Sequence, residues 1–82
     1  LIKLDPARVL ELNDAVRRRA GEIAKMYGMP ERKQSVNRVL RDEFQKEFGC
    51  AVKDTDPDER ERALSFIVNW DDPERIRNLR WR

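Results

Sequence analysis

Apolar residues recur through the first third of the chain at Val9, Leu12, Val16, Ala20, Ile23 and Tyr27, spaced 3, 4, 4, 3 and 4 apart. A helix brings residues at those intervals onto one side, whereas a strand needs every second position. Glu11, Arg18, Glu22 and Lys25 fall away from the stripe, so one face is apolar and the other charged. Asp5-Pro6 marks the start: the carboxylate accepts from orphan backbone N–H groups, and proline lacks the N–H that would go unpaired. Gly28 marks the end as a left-handed cap. The spacing predicts a helix over 6–27, roughly 33 Å long. That is long for an 82-residue chain, and a partner chain is expected to cover part of it. Gly21 interrupts the helix interior at a cost of about 1 kcal/mol against Ala, and close packing there would account for it.

The same period continues. Val36, Leu40, Phe44 and Phe48 recur every fourth residue, joined by Val39, and predict a second helix over 31–48 that Gly49 terminates. Phe48 reads as core, with truncation to Ala costing about 3–5 kcal/mol. Asp56-Pro57 begins a third helix over 57–70. Ala63, Leu64, Ile67 and Val68 form its apolar face, and Phe66 and Trp70 form a second patch. Asp72-Pro73 begins a short fourth helix over 73–81, with Ile76 and Leu79 inward. Only a few residues at 50–53 could be extended. The expected fold is all-α: one domain spanning 1–82, a small bundle of three main helices plus a short C-terminal helix. The chain opens on Leu1 instead of Met and reads as a trimmed fragment of a longer protein.

Composition narrows the chemistry. There is no histidine, the usual general base near neutral pH. Ser35, Ser65 and Thr55 are the available hydroxyls, and none has an evident base beside it. The glycines are scattered, so no phosphate-cradling loop is expected. We therefore expect a non-enzyme with no cofactor. Asp54, Asp56 and Asp58 alternate as in a calcium loop, but the glycine and glutamate such a loop requires are missing and Pro57 intervenes. These carboxylates read as partners of the third helix's positive end, and no metal is expected. Cys50, the lone cysteine, reads as a small buried hydrophobe. With no disulfide pair, no signal peptide and no membrane-length apolar run, the expected location is the cytoplasm.

Charge is uneven. Residues 51–72 carry three basic and seven acidic groups, and residues 73–82 carry four and one. Two binding readings follow. The first is protein contact. Tyr27, Phe66, Trp70 and Trp81 give more aromatic surface than so small a chain is expected to bury, and a symmetric homodimer would cover it. The second is double-stranded DNA. Ala24 and Gly28 stand four apart, as in a helix-turn-helix, and the pair over 20–48 would present Arg32, Lys33, Arg38 and Arg41, with Arg80 and Arg82 around Trp81 in a basic tail. The linker "GMPERKQS" is longer than that motif's turn, and two antiparallel helices give the same apolar pattern.

"RVLRDEFQKEFGCAVKD" followed by "ERALSFIVNW" resembles the C-terminal domain of phage and prophage antirepressor proteins, the ORF-six C-type domain. The matching residues are Leu12, Val16, Phe44, Phe48, Gly49, Ala63, Ile67, Asn69 and Trp70, within roughly residues 4–70. The resemblance implies a small helical module in phage gene regulation that interferes with a repressor-type protein or contacts DNA. Val52 stands near the place where that family has tyrosine, and the tail after Trp70 lies outside the similarity.

Overall fold

A computed structural model describes residues 4–79. Its helices are α1 (Pro6–Met26), α2 (Lys33–Phe48), α3 (Arg60–Asn69) and α4 (Pro73–Leu79), with single 3-10 turns at Pro30–Arg32, Val52–Asp54 and Pro57–Glu59. Each Asp-Pro pair works as a start signal. Asp5 Oδ1 accepts from the Ala7 N–H at 2.9 Å, Asp56 Oδ1 from Asp58 at 2.8 Å, and Asp72 Oδ1 from Arg75 at 3.3 Å. The last turns of α1 close as a Schellman motif. Met29 N–H donates to the Ala24 carbonyl and Gly28 N–H to that of Lys25, with Gly28 at φ +70°. Met29, which follows the glycine, is buried and covers this end of the core. Gly49, at φ +71°, turns the chain out of α2.

α2 folds back antiparallel to α1, with Lys33 beside Gly21 and Arg41 close enough to Arg17 for their charges to interact. α3 then returns parallel to α1: Arg60 at its start meets Glu11, and Trp70 at its end meets Arg19. The bundle measures 42 × 21 × 18 Å, its long axis exceeding the about 32 Å of α1. The two antiparallel helices therefore explain the apolar pattern of 20–48. The 3-10 turn at Pro30–Arg32 lengthens the link between them beyond the turn of a helix-turn-helix pair.

The core is built where the stripes meet. α1 contributes Leu12, Val16, Ala20, Ile23 and Ala24; α2 contributes Val36, Val39, Leu40 and Phe44; α3 contributes Ala63 and Ile67; α4 contributes Ile76. Leu4, Met29, Val52 and Trp70 close its edges. Each large side chain removed from water in this way stabilises the fold by about 1.5–3 kcal/mol. Thr55 is the one buried polar side chain among the described residues, and its hydroxyl donates to the Val52 carbonyl at 2.7 Å. That bond satisfies the hydroxyl and holds the turn before α3.

Several sequence expectations change at the edges of the stripes. Residues 52–54 form a 3-10 turn instead of an extended piece, and no strand occurs among the described residues. Cys50 is half-buried, because the turn out of α2 leaves one side of it uncovered. Phe48 and Phe66 are also half-buried in an open groove between α2 and α3, and between α1 and α3 Leu64 is half-buried and Val68 54% exposed. A Cβ on Gly21 would meet only the flexible Lys33 side chain, at 3.4 Å, so close packing does not account for that glycine.

Candidate interaction grooves

Phe44, Phe48 and Phe66 form one aromatic cluster at the far end of α2. Phe44 and Phe48 stack with centroids 4.4 Å apart, and Phe66 meets both edge-on at 5.9 and 5.6 Å. The four-residue step on α2 aligns the first two rings, and α3 brings the third. A groove between α2 and α3 runs along this cluster. Phe48, Phe66 and the edge of Trp70 line it, with Ser65 and Asn69, and its charged groups are Glu43, Glu47, Asp71 and Arg62. Three carboxylates against one guanidinium give a net charge of −2.

Trp70 needs a correction as a partner-binding residue. It is only 5% exposed, its indole N–H points at Glu43 Oε1 at 3.4 Å, and Arg19 Nε donates to its carbonyl at 2.9 Å. The chain buries most of this ring itself and offers only an edge. Tyr27 is half-buried and its hydroxyl donates to Asp71 Oδ1 at 3.0 Å. Burial first, and then that bond, raise the phenol above its ordinary pKa and keep it a donor. Phe66 and Trp70 thus share a groove, and Tyr27 reaches it through Asp71. Trp81 lies outside the described residues.

The groove already holds one cation. The Arg62 guanidinium carbon sits 4.4 Å from the Phe48 ring centre, with one nitrogen 3.1 Å from Glu59 and another 3.0 Å from Glu47. The Glu59 bond is the first cause that raises Arg62 above its ordinary pKa. Next to it, Arg75 of α4 bridges Asp42 at 2.9 Å and Glu43 at 3.2 Å, and its pKa is raised by Asp42 first. The carboxylates here act as acceptors for guanidinium and indole groups. Their chemistry is recognition by charge and stacking.

The basic residues separate. Arg32 and Arg38 border a second groove, between α2 and α4, with Ser35, Asp42 and Arg75. Three guanidiniums against one carboxylate give it a net charge of +2. Lys33 lies on the α1 side instead. Arg41 donates through Nε to Asn37 Oδ1 at 2.8 Å, and burial followed by repulsion from Arg17 lowers its pKa. Arg32, Lys33, Arg38 and Arg41 therefore do not form one surface, a split that counting about 100° per residue foreshadows. Arg80 and Arg82 lie outside the described residues. A third groove, between α1 and α3, is lined by Ala15, Leu64 and Val68 with charges of both signs.

Sequence reasoning missed Glu43, Glu47, Phe48 and Asp71 as groove residues. Glu43 and Glu47 stand one helical turn apart, as do Arg62 and Phe66, which was the available signal. Among the described residues no helix is long and apolar enough to cross a membrane. Neither a family model, nor a curated protein, nor a solved structure matches the chain.

Proposed function

We propose that the chain is a non-enzymatic regulatory module of the phage antirepressor type that works by protein–protein contact, either with a second copy of itself or with a repressor-type protein. The observation that carries this reading is the convergence of half-buried aromatic side chains on one open groove between α2 and α3. Phe48, Phe66 and the Trp70 edge supply apolar area there, and charged groups rim it. The resemblance of the Phe-Gly helix end and the "ERALSFIVNW" segment to the antirepressor domain points the same way, on fold analogy alone. Light scattering over a dilution series tests self-association. The reading expects association that persists at high salt and falls when Phe66→Ser removes the aromatic wall.

The α2–α4 groove favours DNA as a second reading, since Arg32, Arg38 and Ser35 converge there. Titration of labelled duplex at low and moderate salt separates the two. Phosphate contacts weaken steeply as salt rises, whereas an apolar contact does not.

A further inference from the structure

The charge of the α2–α3 groove has the wrong sign for a nucleic acid and the right one for a cation. Its walls alternate in kind: aromatic surface from Phe66, from Phe48 beneath Arg62 and from the edge of Trp70, and carboxylates from Glu43, Glu47 and Asp71. A guanidinium uses both, because it stacks on rings and forks into carboxylates, whereas an ammonium offers only a point charge. The chain shows this preference on its own account: Arg62 lies over Phe48 while its nitrogens reach Glu47 and Glu59. The aromatic wall continues past that seat to Phe66, with Glu43 and Asp71 farther along the groove.

We infer that the α2–α3 groove is a docking site for an arginine-bearing segment of a partner protein, seated with its guanidinium groups against the aromatic wall and its charge met by Glu43, Glu47 and Asp71. This rests on the protein-contact reading and gives it a place and a chemistry. The acidic rim steers basic segments toward the groove and repels nucleic acid, so the two charged grooves beside α2 select different partners.

The test is a titration of the full chain carrying Trp81→Phe, which leaves Trp70 as its one tryptophan. The probe is a short alternating arginine–serine peptide, compared with its lysine–serine and glutamate–serine analogues. The expected result is a saturable change in Trp70 fluorescence with the arginine peptide, weaker binding of the lysine analogue and none of the glutamate one. Glu47→Lys is expected to weaken the arginine peptide about tenfold. Glu22→Lys, in the α1–α3 groove, should leave it unchanged, with melting curves showing both variants folded. Lack of saturation at millimolar peptide overturns the inference. So does equal weakening by the two substitutions, which would mean diffuse attraction, or equal binding of the arginine and lysine peptides. Salt-resistant self-association alongside a failed titration would sink the docking site and leave the protein-contact reading standing. Failure of both would sink the two together.

Discussion

Phe44 and Phe48 look alike in the sequence and differ in the structure, and truncating each in turn measures that difference. Phe44 is fully buried at the centre of the aromatic cluster and touches both other rings. Phe44→Ala removes a whole buried ring and leaves a cavity, which costs about 3–5 kcal/mol. Its two ring contacts, at about 0.5–1.5 kcal/mol each beyond area burial, place it toward the top of that range. Phe48 is half-buried, with Arg62 over its face and solvent beside it. Part of its surface stays in water, so less area is at stake and Phe48→Ala should cost about 2–4 kcal/mol, less than the fully buried ring beside it. A domain of 82 residues has a total stability of about 4–12 kcal/mol. Phe44→Ala therefore removes a large share of it, while the Phe48 variant remains folded. Urea denaturation followed by circular dichroism reads both. In thermal melts each kcal/mol corresponds to about 4–8 °C at this size. If Phe48→Ala costs as much as Phe44→Ala, or if Phe44→Ala melts with the parent, the assignment of the cluster's centre is wrong.

Gly21→Ala should stabilise by about 0.5–1 kcal/mol, since helix propensity improves and the new Cβ meets only the Lys33 side chain. Gly49→Ala should destabilise by about 1–2 kcal/mol, because φ is +71° there, and paired melting curves check both. Asp5→Ala removes the N-cap of α1 and should cost about 1 kcal/mol in the same assay. The Glu11 carboxyl is held below its ordinary 4.5 by Arg60 and then Arg8, and that of Asp42 below its ordinary 3.8 by Arg75 and then Lys46. A lowered folded value means that both contributions are complete above those ordinary values and are lost as pH falls through the lowered ones. Unfolding midpoints measured against pH should therefore decline in acid, and Glu11→Gln with Asp42→Asn should flatten that decline.

The helices were legible because their signals are local. Asp5, Asp56 and Asp72 cap the segments they precede, Gly28 and Gly49 take positive φ where the stripes stop, and the four-residue steps select the core. What was not legible depends on neighbours far along the chain. Trp70 looks like surplus aromatic surface until Arg19, 51 residues earlier, reaches its carbonyl and Glu43 meets its indole. Val68 looks like core until it proves to line the open groove between α1 and α3, and the pairing of Arg60 with Glu11 spans 49 residues. The aromatic groove was half legible. Phe66 and Trp70 stand four apart, but the acidic rim comes from α2 and from Asp71, two residues past α3.

Among the helices of the described residues, α4 approaches α2 alone. It has seven residues, too few to hold together alone, and Ile76 is its one buried side chain. With one buried side chain against five in α1, its amides should exchange with solvent before those of α1. When it lifts, Arg75 leaves with it, and Glu43 loses the guanidinium that shares its carboxylate with the Trp70 indole. That loss would be felt as added negative charge at the mouth of the aromatic cleft, so the ion pair from α4 tempers how strongly the cleft attracts a cation.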